Sequence, residues 1–139
     1  MKAQIPSPDL KFRQMLSATP RGARLARRLA CCQLEEWGFP HGGETSRAAA
    51  SIVAELAVNA VTHGRVSGRD FALTLLLRGE LLRIEVADAC AERRPEAGRA
   101  GGFGLRIVAA LADSWGVRDR RIGKIVWAEV SGLKRSEEE

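Results

Sequence analysis

A carboxylate and a carboxamide four residues apart, Glu55 and Asn59, are the first residues of this chain whose types and spacing could do chemistry. They fall in Ser51 to Gly64, Ser-Ile-Val-Ala-Glu-Leu-Ala-Val-Asn-Ala-Val-Thr-His-Gly, which has the apolar period of a helix. At about 100° per residue, Ala49, Ile52, Val53, Leu56 and Ala60 share one arc that would meet a core. Glu55 and Asn59 stack one above the other at the edge of that arc. There they are placed to hold a hydrated metal, or a water, beside a bound ligand. An ordinary amphipathic helix with a solvated glutamate and a locally bonded asparagine fits the same residues, and the helix alone does not choose.

Four later features could complete a ligand site. Asp88 ends an otherwise apolar run, Ile84, Val86 and Ala87 leading into it. A strand-end carboxylate facing a pocket can accept a hydrogen bond from an exocyclic amine such as that of adenine, and its burial is compensated only if such a partner arrives. An aspartate that merely starts a turn is the plainer alternative. Ala89 to Gly101 then forms a polar, breaker-rich stretch of about a dozen residues, a length that in compact domains commonly marks a functional lid. Gly101-Gly102-Phe103-Gly104 follows it and opens a helical pattern. Glycines there let the backbone approach a phosphate, which the helix start favours; a hinge or tight turn needs the same residues. No βαβ unit surrounds them, which argues against a Rossmann dinucleotide site. Lys124, in Gly123-Lys124-Ile125-Val126-Trp127, reads first as a hairpin turn entering a core strand and second as a cation reaching a phosphate or another acidic group.

The elements that must position these residues can be read from the rest of the chain. Residues 1–9 carry two prolines and no periodicity and make a loose lead-in, and Leu10 to Leu16 forms an edge strand. Thr19-Pro20 supplies an N-cap and a first-turn proline for a scaffold helix that ends at Gly38 and presents Leu25, Leu29 and Cys32 on one face. Phe39 to Gly43 is a turn holding His41, and Thr45 or Ser46 caps the Glu55/Asn59 helix. His63-Gly64 closes that helix, with Gly64 as its C-terminal glycine. Phe71 to Leu77 and Leu81 to Ala87, separated by Arg78-Gly79-Glu80, make a β-hairpin. Gly102 to Ala112 is helical, Trp115 to Val117 a short strand and Lys124 to Val130 another. The order predicts an α+β fold, a two-layer α/β sandwich with a mixed, mostly antiparallel sheet covered on one face by helices.

With 139 residues, 45% of them hydrophobic, one domain spanning 1–139 is expected, ending in an acidic tail at 133–139. No apolar stretch approaches the roughly 20 residues that cross a bilayer, so a cytoplasmic protein without a membrane role is expected. Cys31, Cys32 and Cys90 have neither zinc spacing nor an even disulfide count, and Cys31 and Cys32 read as small apolar helix residues. The net charge of +5 is scattered, and no tyrosine is present to build a stacking platform, so specific nucleic-acid binding is not expected.

Taken in order, Glu55-x-x-x-Asn59, Asp88 at a strand end, the lid and Gly102-x-Gly104 form a specific set. On these residues the chain resembles the histidine-kinase-like (GHKL) ATPase superfamily, in particular the stand-alone ATP-binding domains similar to bacterial anti-sigma-factor serine/threonine kinases. The likeness runs from Arg21–Arg28 through Ala110–Val117 to Gly123–Trp127. The resemblance implies a Bergerat-type fold with ATP between helices and lid. It implies that Asn59 holds Mg²⁺ at the ATP phosphates and that Glu55 orients or deprotonates a serine hydroxyl or water. Asp88 would take the adenine amine, Gly102 and Gly104 would wrap the phosphates, Arg99 would clamp them and His63 would shape the site. The implied partners are a sigma factor and an anti-sigma-factor antagonist; homodimer formation is left open. Two departures stand out. Ala89-Cys90 follows Asp88 where the family usually has glycine, and no histidine-bearing dimerisation helix precedes the domain.

Overall fold

In the computed structural model, residues 9–90 and 105–133 are described. Most of the lead-in, the lid from residue 91 onward, the Gly102-x-Gly104 turn and the tail beyond Leu133 lie outside them. The described elements are β1 (Leu10–Leu16), α1 (Pro20–Glu36), α2 (Glu44–Thr62), β2 (Phe71–Arg78), β3 (Leu81–Asp88), α3 (Leu105–Leu111), β4 (Ser114–Asp119) and β5 (Lys124–Val130).

The strands form one sheet in the order β1-β2-β3-β5-β4, and each described pairing is antiparallel. Period-two alternation decides which face meets the helices. Leu73, Leu75 and Leu77 of β2, Leu82, Ile84 and Val86 of β3, and Val126 and Ala128 of β5 all enter the core with the buried residues of the three helices. The fold is therefore the expected α+β sandwich, with helices on one face. On the other face Arg83 bonds Glu85 and Glu129, both at 2.7 Å, and its guanidinium lies 4.3 Å from the Trp127 ring centroid. Partial burial lowers the Arg83 pKa, but the two carboxylates outweigh it and hold the group above its ordinary value.

The chain order explains how the site becomes possible. After β3 the chain passes through α3 and forms β4 at the far edge, and β5 then fills the place between β4 and β3. The first residue of β5, Lys124, thus pairs with the last residue of β3, Asp88.

α1 starts as expected, with the Thr19 hydroxyl accepting the Gly22 N–H at 3.0 Å and Pro20 in the first turn. Its buried face is different. Ala23, Ala26, Ala30 and Leu34 point inward, whereas Leu25 is 42% exposed, Cys32 is exposed and Leu29 is only partly buried. Alanines allow α1 to come close to α2, whose own buried face includes Ala49, Ala57 and Ala60. Close approach of two backbones outweighs the larger hydrophobicity of Leu25.

α2 also begins differently from the expectation. Gly43 is its N-cap and makes no side-chain cap bond, so Thr45 and Ser46 lie within the first turn. A turn bond from the Gly43 N–H to the Pro40 carbonyl, 2.9 Å, starts the helix early, and Glu44 places a carboxylate at its positive end. β4 is longer than the expected Trp115–Val117 because pairing with β5 extends it in both directions. Leu133, at the head of the tail, is buried against the core. Among the described residues no helix is long and apolar enough to cross a membrane.

Close approach at the α1–α2 contact gives a direct test. Ala30 is fully buried, so Ala30→Leu should destabilise by about 1–3 kcal/mol through overpacking. The loss would appear as a lower urea midpoint at unchanged slope. Leu25→Ala, at an exposed position of the same helix, should change stability by no more than about 0.5 kcal/mol.

Candidate functional site

The C-terminal half of α2 delivers Glu55, Asn59 and His63 in successive turns. Glu55 is half-buried at the edge of the apolar face. Asn59 is 6% exposed, and neither its Oδ1 nor its Nδ2 has a hydrogen-bond partner among the described residues. A buried carboxamide with no partner costs about 1–3 kcal/mol, so packing alone gives no reason for asparagine here. His63 is the C-cap, φ −114°, and its N–H donates to the Asn59 carbonyl at 2.8 Å.

Gly64 joins this helix end to β3, for a reason the sequence reading did not supply. It is not among the residues with positive φ, and its N–H donates to the carbonyls of Asn59 and Ala60. A Cβ at this position would collide with the Asp88 carboxylate, nearest to Oδ2. Glycine is therefore required by the close approach of Asp88 rather than by a left-handed cap.

Asp88 is 3% exposed and already has a cationic partner. Lys124, 2% exposed, donates from Nζ to Asp88 Oδ1 at 3.0 Å and to the Cys90 carbonyl at 2.7 Å. The Cys90 N–H donates to the same Oδ1 at 2.9 Å, and Arg120 Nη2 reaches the Asp88 carbonyl at 3.2 Å. The expectation that only an arriving amine could compensate the burial of Asp88 is corrected: the ammonium of Lys124 already offsets part of it. Of the two readings of Lys124, reach to an acidic group is realised, and the turn entering β5 is present as well. Burial pushes the Asp88 carboxyl above the usual carboxylate range, and the Cys90 N–H, Lys124 and Arg120 oppose this without cancelling it.

The fold thus brings Asn59, His63, Gly64, Asp88 and Lys124 to one end of the α2–sheet contact, with Glu55 one turn further along α2. Arg99, Gly102 and Gly104 lie outside the described residues. What sequence reasoning missed is that Lys124 and Gly64 both meet Asp88. The available signal for Lys124 was a lone lysine opening an otherwise apolar strand. A groove of about 830 Å³ opens at the other end of α2, between Glu44, Arg47, Leu111 and Leu133. None of the singled-out residues lines it, so the grouping of buried polar side chains, rather than cavity size, locates the site.

The chemistry fits a nucleotide. The Asn59 Oδ1 is a hard oxygen donor of the kind that suits Mg²⁺, an ion that commonly takes one or two protein oxygens and completes its shell with water and phosphate. Its lack of a partner among the described residues is what a ligand-completed position would show. Asp88 Oδ2, packed against Gly64, is a carboxylate oxygen of the kind that accepts from an amine.

The profile of the histidine kinase-like ATPase domain matches residues 16–130. No curated protein matches the chain.

Asn59 separates stability from binding. Asn59→Leu should raise the unfolding free energy by on the order of 1 kcal/mol, because an unpaired buried amide is replaced by an apolar group of similar size. The same substitution should abolish Mg²⁺-dependent nucleotide binding. Thermal melts beside nucleotide titration read both effects.

Proposed function

The chain belongs to the histidine kinase-like ATPase domain family and is an ATP-binding domain, and from that premise we propose that it is an anti-sigma factor with protein serine/threonine kinase activity. The observation that carries the catalytic part is the buried Asn59 carboxamide, without a partner among the described residues and one turn beyond Glu55. On this reading Asn59 holds Mg²⁺ against the ATP phosphates, where the ion would offset their charge. Glu55 accepts the proton of an incoming serine hydroxyl as that oxygen bonds the γ-phosphorus and the bond to the β-phosphate oxygen breaks. Asp88 accepts the adenine amine. His63 holds the helix end, and Arg99, Gly102 and Gly104 are assigned to the phosphates. The serine belongs to an antagonist protein, and its phosphorylation leaves the sigma factor bound to this chain.

A second reading is a non-catalytic, ATP-gated adaptor in transcriptional regulation. The observation that favours it is Ala89-Cys90 after Asp88, where Cys90 ties the carboxylate back through its own N–H. That closes part of a segment which glycine would leave more permissive.

Calorimetric titration of ATP with Mg²⁺ into the full chain tests the site. Binding by the parent that is lost in Asn59→Ala and Asp88→Asn supports the assignments, and absence of binding by a folded parent would overturn them. Glu55→Ala then separates the two readings. On the kinase reading it retains ATP and lowers phosphate transfer to the antagonist by about 10²–10⁴-fold. If the parent transfers no phosphate to an antagonist it binds, the adaptor reading replaces the kinase.

A further inference from the structure

We propose that Lys124 is a second base-recognition residue, whose ammonium donates to a ring-nitrogen acceptor of the bound base next to the amine taken by Asp88. The inference rests on the ATP-binding reading above and specifies how that site selects its base.

Lys124 is held in a fixed place. It is almost fully buried and pairs with Asp88 across the β3–β5 register. Gly123 precedes it at φ +94°, and a Cβ there would collide with the Asp88 carbonyl. The start of β5 is thereby pressed against the end of β3 in a way only glycine allows. Among the described residues two acceptors, Asp88 Oδ1 and the Cys90 carbonyl, each take one ammonium proton. An ammonium has three, and the tetrahedral geometry leaves one for a third acceptor.

Asp88 is engaged asymmetrically. The Cys90 N–H and Lys124 both meet Oδ1, while Oδ2 lies against Gly64. Asp88 Oδ2 and the third ammonium proton thus belong to two residues paired at the end of β3 and the start of β5. Adenine presents the complementary pair on one edge, the N6 amine as donor and N1 as acceptor. With Asp88 alone the pocket would read only the amine. With Lys124 beside it the pocket reads both atoms, and a base lacking the acceptor leaves a buried charged donor unsatisfied.

The plainer role for Lys124 is to neutralise Asp88, and base analogues tell the two apart. ATP and 1-deaza-ATP, in which a C–H replaces N1, are titrated into the full chain and into Lys124→Met. The parent should bind ATP about tenfold or more tightly than 1-deaza-ATP, as a lost hydrogen bond to a charged group implies. Lys124→Met should weaken ATP binding to about the level of 1-deaza-ATP and erase the difference between them. Equal affinity of the parent for both nucleotides overturns the proposal and leaves the nucleotide site standing. So does a Lys124→Met chain that weakens both in the same proportion. A parent that binds neither overturns the nucleotide reading itself, and this inference with it. Should Lys124→Met fail to fold, the parent's preference between the two nucleotides decides alone.

Discussion

The register between β3 and β5 is the constraint on which the rest depends. Leu82, Ile84 and Val86 face Val130, Ala128 and Val126, and the same row ends in Asp88 opposite Lys124. A slip of one residue would turn the apolar side chains to solvent, so burial of the core fixes the pairing. The polar pair is the last step of an apolar ladder. It stands where the ladder reaches the end of α2, and removing either member would leave a buried charge unpaired, at a cost of about 3–5 kcal/mol. Core and site are thus specified by one alignment of strands.

α2 is divided by function along its length. Its first half is bound to the core by Ala49, Ile52 and Val53, with a backbone start that has no side-chain cap bond. Its second half retains a carboxamide that nothing in the described protein satisfies. Such an exception to hydrogen-bond satisfaction is expected where a ligand completes the shell, and the stability it forfeits is supplied by packing elsewhere. Gly64 carries the same logic one step further. The missing side chain there lets a helix end and a strand end meet, which brings the α2 end that carries Asn59 up to Asp88.

Much of this was legible in the sequence because it rests on periodicity and local chemistry. The hairpin of β2 and β3, the Thr19-Pro20 helix start, the buried arc of α2 and the fold class follow from patterns within single elements. What escaped depended on distant neighbours. The inward face of α1 is lined by alanines because α2 is close, and periodicity weighted by hydrophobicity prefers Leu25 and Leu29. Gly64 looked like a cap because the approach of Asp88 comes from another element. Asp88 and Lys124 are 36 residues apart, and their pairing requires that β5 enter the sheet between β3 and β4. Several hydrophobic strands of similar length do not state their own order.

On the proposed reading, a lysine beside a base-reading carboxylate also changes what discrimination the pocket can achieve. A hydrophobic wall rejects a wrong base only by shape, whereas buried polar groups left unpaired reject an analogue lacking the matching atoms by far more. Asp88 alone supplies one such group, and it tolerates a donor from any base edge. Lys124 supplies a second of opposite polarity, held by the same strand register, so only an edge with donor and acceptor side by side satisfies both. The ion pair that makes burial of Asp88 tolerable is then also what narrows its choice of ligand. On that reading stability comes from Oδ1 with Nζ and selectivity from Oδ2 with the same Nζ, so a substitution of Lys124 must alter both.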